Sequence, residues 1–97
     1  MPKSYFVYIL ASKRNGTLYI GVTGNLRTRV GQHREGLVPG FTKTYGVKRL
    51  VYFEEFANID DALRREDRLK KYKREWKINL IREKNTEWAD LFEGVPY

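Results

Sequence analysis

The chain has 97 residues, room for one domain with a modest core and none for a second. With 19 basic residues against 12 acidic ones its net charge is +7, which favours an anionic partner, nucleic acid first. It has no cysteine, excluding a disulfide framework, a thiolate zinc site and a thiol nucleophile, and no apolar run long enough to span a membrane.

The composition reads as a single domain over residues 1–97, with short tails at 1–4 and 93–97. Tyr5 to Leu10 predicts a first strand with Phe6, Tyr8 and Leu10 on one face and Tyr5, Val7 and Ile9 on the other. Both faces are apolar, so the strand is expected to be central and covered on both sides. The first residues lead straight into it and do not read as a signal segment; a reducing cytoplasm is the expected compartment. Ser12 to Gly16 ends in Asn-Gly, a reverse-turn signal, and Thr17 to Val22 returns antiparallel as the second strand. Tyr19 shares a face with Gly21, which predicts open space beside the phenol for a ligand backbone.

Asn25 can cap a helix running from Leu26 to Glu35 and stopping at Gly36. Leu26 and Val30 anchor it to the sheet, His33 continues that side, and Arg29 lies beside them one turn before His33. Gly31 costs about 1 kcal/mol relative to alanine there, which marks close packing. Leu37 to Val47, with glycines and a proline around Phe41, Lys43 and Tyr45, reads as an exposed basic loop. Arg49 to Phe56 predicts the third strand. Asn58, with Asp61 three residues on, opens a helix in which Ile59, Ala62, Leu63, Glu66 and Leu69 recur at helical spacing. A further helical segment follows around Trp76, Leu80 and Ile81, carrying Lys77 and Lys84. Trp88, Leu91 and Phe92 then give the tail enough apolar surface to pin it to the domain. The order is β-β-α-β-α-α, an α+β class of fold.

Several residues admit a structural and a chemical reading. Glu66, on an otherwise apolar helix face, needs a cation: an arginine or lysine in a salt bridge, or a hard ion such as Mg²⁺. Arg29 and His33 read as a surface arginine and a helix-end histidine, or as a phosphate grip beside the chain's one imidazole. Tyr8 and Tyr19 read as core or edge aromatics, or as phenols whose usual pKa of about 10 is lowered by neighbouring cations. Lys70, Lys71, Lys73, Arg74 and Lys77 are a solvated run or, with Lys43, a track for a nucleic-acid backbone.

The segments VYIL at 7–10 and YIG at 19–21 resemble the split signature of the GIY-YIG nuclease superfamily. Within it the chain is most similar to the small stand-alone bacterial proteins made of the nuclease domain alone, and the likeness covers nearly its whole length. The resemblance implies a small central three-stranded antiparallel sheet flanked by helices. It assigns Tyr8 and Tyr19 to the two signature tyrosines, Arg29 to the family arginine and His33 to the histidine of many members. Glu66 takes the place of the metal-binding glutamate, and Asn85 that of a late asparagine supporting the site. Two departures stand out: Phe6-Val7-Tyr8 replaces Gly-Ile-Tyr, and Asn85-Thr86 replaces Asn-Pro.

The activity implied is hydrolysis of a phosphodiester, in DNA before RNA, with Mg²⁺ or Mn²⁺ held by Glu66. Arg29 would hold the scissile phosphate, and either tyrosine, Tyr8 before Tyr19, would activate water, with His33 taking the proton onward or keeping the phenol polarised. The products would carry a 5′ phosphate and a 3′ hydroxyl. With no recognition module attached, the domain would cut a DNA shape such as a flap or branch, or use a partner protein for targeting. Two other classes compete: a non-catalytic binder keeping the residues as a phosphate grip, and a protein-interaction domain using Trp76, Trp88 and the basic helices.

Overall fold

Tyr5–Ala11 forms β1, whose alternate residues are buried in two different clusters. In the computed structural model, which describes residues 4–95, β1 is the middle of a three-stranded antiparallel sheet of order β2-β1-β3. Its neighbours are β2 (Leu18–Thr23) and β3 (Arg49–Phe56). Phe6, Tyr8 and Leu10 face one cluster with Leu26, Val30, Val47 and Leu50; Val7, Ile9 and Ala11 face the other with Ala62, Leu69, Ile81 and Trp88. The two-sided apolar pattern of the strand is therefore realised as a sheet with helices on both faces.

The β1–β2 turn passes through Asn15 at φ 57°, the left-handed region that Asn tolerates better than most side chains. Helix α1 (Leu26–Arg34) begins where Asn25 Oδ1 accepts from the Thr28 amide and ends before Gly36, whose φ is +71°. Gly31 is not there for tight packing: a Cβ would meet only Phe92, at 4.0 Å. The segment expected as a loop contains a short helix, α2 (Phe41–Thr44), bounded by Gly40 and Tyr45. Four residues are too few for a helical period to show in the sequence.

Helix α3 (Ile59–Lys71) starts at Asn58, whose Oδ1 accepts from the Asp61 amide at 2.9 Å while its Nδ2 donates to the Asp61 carboxylate at 2.9 Å. Its inward stripe is Ala62, Arg65, Glu66 and Leu69, whereas Ile59 and Leu63 are exposed. Arg65 earns its inward place by pairing with Glu54 of β3, 2.9 Å away, and Glu54 also accepts from the Tyr52 hydroxyl. Burial alone would raise the Glu54 pKa, but the bonds from Arg65 and Tyr52 outweigh it and hold the carboxyl below its usual range.

Helix α4 (Arg74–Lys84) leads into a C-terminal segment tied to β3. Asn85 Nδ2 donates to the carbonyls of Val51 and Ala89, the Leu91 amide donates to Leu50, and a 3₁₀ turn follows at Phe92–Gly94. Phe92 lies between the guanidinium groups of Arg27 and Arg34, 5.3 and 4.7 Å from its centroid. Within the expected tail at 93–97, Val95 is buried in the cluster that also holds Phe6 and Tyr8; residues 1–3 and 96–97 lie outside the described set. Among the described residues no helix is long and apolar enough to cross a membrane.

Candidate active site

The antiparallel register sets Tyr8 of β1 directly opposite Gly21 of β2, with Leu10 opposite Tyr19 two residues along. Paired residues share a sheet face, so Tyr8, Gly21 and Tyr19 point the same way. The space expected beside Gly21 is not open: a Cβ there would fall 2.6 Å from the Tyr8 hydroxyl and 2.7 Å from its Cζ. Gly21 is the floor on which the Tyr8 phenol lies. The two phenol rings stand 6.3 Å apart between centroids.

Helix α1 brings His33 over these rings, because His33 falls on the same buried side as Leu26 and Val30. Its Nε2 lies 3.2 Å from the Tyr8 hydroxyl, and its Nδ1 lies 3.0 Å from Oγ1 of Thr42 on α2. Burial and the nearby Arg29 charge lower the imidazole pKa below its usual 6.5. His33 is therefore neutral at pH 7, with one nitrogen accepting and the other donating. Burial, and then the Tyr19 phenol, push Tyr8 up to about 12, against the pull of a hydrogen bond and the charge of Arg29; Glu66 adds to the rise. Among the protein's own groups desolvation outweighs the single guanidinium, so the phenol pKa is raised, not lowered.

Arg29 reaches the Tyr8 hydroxyl from α1 through a hydrogen bond, and the Glu66 charge on α3 is the weakest of the influences felt there. Arg29 also donates to Oε1 of Gln32 at 3.2 Å, which steadies the guanidinium. The Glu66 side chain is 18% exposed and lies 3.4 Å from Nζ of Lys70, so a salt bridge does form there. Among the described residues no group of three or more His, Cys, Asp or Glu gathers as a metal cage. One partly buried carboxylate is nevertheless a hard oxygen donor. It suits a hard ion that keeps waters and takes further ligands from a phosphate substrate.

The basic run divides. Lys70 and Lys77 line a cleft of about 270 Å³ with Tyr19 and Phe41. Lys71 is paired with Asp67 at 2.9 Å, and Lys73 lies over the Trp76 ring. Arg74 donates to the carbonyls of Asn15 and Gly16, at 2.7 and 2.6 Å, and clamps the β1–β2 turn. Lys43 is exposed on α2. Among the described residues the hydrogen bonds of Asn85 reach Val51 and Ala89 but none of the tyrosines, Arg29, His33 or Glu66. Trp88 is wholly buried, which removes it from any contact surface, while Trp76 remains half exposed. Thr42 and Gln32 are the site neighbours the sequence did not disclose.

A profile of the "GIY-YIG catalytic domain" matches residues 4–79, which include every residue of this cluster and stop short of Asn85. A UPF0213 protein of Staphylococcus haemolyticus is 38% identical over 82% of this chain and 96% of its own length. One from Clostridium perfringens is 41% identical over 82% of this chain and 85% of its own. The solution NMR structure of the UPF0213 protein BH0048 from Bacillus halodurans superposes with a TM-score of 0.57 at 28% identity, covering 93% of this chain and 95% of that one. The profile and the relatives cover most of this chain, whose sheet runs β2-β1-β3 with Tyr8 paired to Gly21, and the chain belongs to the GIY-YIG catalytic-domain family.

Proposed function

We propose that the protein is a divalent-cation-dependent endonuclease that hydrolyses a phosphodiester bond in DNA. The observation that carries this reading is the hydrogen-bonded chain Tyr8–His33–Thr42, with Arg29 hydrogen-bonded to the Tyr8 phenol. Arg29 grips the scissile phosphate through paired N–H donors and offsets charge as the pentacovalent state forms. Tyr19, at the cleft, orients the attacking water. Because the Tyr8 phenol is protonated at neutral pH, it acts as a relay: it accepts the water proton while giving its own to Nε2 of neutral His33. The relay uses the tautomer in which Nδ1–H donates to Oγ1 of Thr42 and Nε2 accepts. The water oxygen bonds phosphorus as the bond to the 3′ oxygen breaks, that oxygen takes a proton from solvent, and the products are a 5′ phosphate and a 3′ hydroxyl. Glu66 is the ligand for Mg²⁺ or Mn²⁺, which when bound supplies positive charge to the phosphate oxygens.

The substrate is expected to be a DNA shape such as a flap or branch, selected by the domain or by a partner protein. End-labelled single-stranded, duplex, flap and branched DNA, incubated with Mg²⁺ or Mn²⁺ and with EDTA, tests the reading. Metal-dependent cutting that leaves ligatable 5′-phosphate ends supports it. Salt-sensitive binding with no cutting on any substrate would instead leave the residues as a phosphate grip.

A further inference from the structure

Helix α2 has two unlike faces. Thr42 is buried and bonded to His33, whereas Phe41 and Tyr45, one turn apart, are 47% and 58% exposed with ring centroids 4.9 Å from each other. The Phe41 ring lies at 6.5 Å and 29° from Tyr19, and Tyr19 meets His33 at 5.3 Å. A ladder of rings therefore runs from solvent to the buried centre of the candidate site. Two exposed aromatic rings contribute little to the core, and placing them beside a functional cluster points to a partner that stacks. The cleft of about 270 Å³ beside the ladder shares Tyr19 and Phe41 with Lys70 and Lys77. Ring faces for a base and ammonium groups for a phosphate are the two things one nucleotide of a strand requires.

We propose that Phe41 and Tyr45 form a stacking subsite for an unpaired nucleobase next to the phosphate gripped by Arg29, with Lys70 and Lys77 holding the neighbouring phosphate. This rests on the nuclease reading only for which phosphate lies at Arg29. The subsite favours strands that present a base free of its complement, because a base held in a duplex stack offers no open face.

The test uses the full chain and a single-stranded oligonucleotide carrying 2-aminopurine at successive positions, in EDTA so that no turnover is needed. The wild-type protein is expected to quench the fluorophore at one or two adjacent positions. Phe41→Ala and Tyr45→Ala should each lose the quench and about tenfold in affinity, with unchanged thermal midpoints. Phe41→Trp should keep both, and Phe41→Leu, which retains apolar bulk without a ring, should behave as the alanine variant. Binding without quench at any position, or a Phe41→Leu variant as good as wild type, would overturn the subsite. Cleavage of the same strand in Mg²⁺ separates the two proposals. A quench without cutting upholds the subsite against the nuclease, and cutting without a quench overturns the subsite alone.

Discussion

The Tyr8 hydroxyl lies 3.2 Å from Nε2 of His33, and both residues are closed off from solvent. Burial raises the phenol pKa and lowers that of the imidazole, so both are uncharged at neutral pH. On taking the phenol proton His33 becomes a buried imidazolium, and shielding the pair from bulk water limits exchange to what touches the Tyr8 hydroxyl.

Acid should weaken the fold through His33 before it reaches the carboxylates. The folded pKa lies below 6.5, so the unfolded chain takes the proton first. The contribution of His33 is complete above about pH 6.5 and is lost as pH falls through its lowered folded value. Thermal midpoints of wild type should drop between pH 7 and 5.5, and His33→Asn should flatten that limb. An identical slope in both proteins would show that His33 does not titrate there. Glu54, whose pKa is also lowered, acts in a separate window below about pH 4.3.

Gly21→Ala should disturb Tyr8 more than any surface change. Its Cβ would fall 2.6 Å from the phenol oxygen and 2.7 Å from Cζ, and Tyr8 is packed too closely to retreat freely. Overpacking of this kind costs about 1–3 kcal/mol. Chemical denaturation checks the stability, and cleavage by the folded variant should fall as the Tyr8–His33 bond misaligns.

Thr42→Val keeps shape and removes the partner of His33 Nδ1, leaving a buried polar nitrogen unsatisfied. The loss should be about 1–3 kcal/mol, with recovery in Thr42→Ser. A shifted pH–rate profile for the valine variant would mark control of the histidine tautomer, whereas a stability change alone would mark packing.

Arg65→Met should destabilise the protein by about 3 kcal/mol, because it leaves Glu54 partly buried without its cation. Replacing Glu54 with leucine in the same chain should restore much of that loss, since two apolar groups need no solvation. Urea unfolding of the single and double variants measures both steps.

Much of this arrangement was legible in the chain. Alternation in Tyr5–Ala11, the Asn15-Gly16 turn and the caps at Asn25 and Asn58 placed the sheet and two helices, because local chemistry decides those features. Tyr8, Tyr19, Arg29, His33 and Glu66 were reachable through their spacing and the family likeness. Thr42 was not, since α2 has four residues and the bond to His33 spans a turn that no periodicity reveals. Nor was Arg65, whose inward place depends on Glu54, eleven residues earlier on β3. The partners of Arg74 and Lys71 were not legible either, because a basic side chain in sequence does not disclose the carbonyl or carboxylate it meets.

The most direct measurement is the cleavage rate of labelled DNA in Mg²⁺ by wild type, Glu66→Gln and Arg29→Ala purified in parallel. Each substitution should reduce the rate by about 10²-fold or more while salt-sensitive binding by Glu66→Gln persists, and EDTA should abolish cutting by wild type. Cutting at an unchanged rate by either variant would contradict the assignment of Glu66 and Arg29 to the reaction.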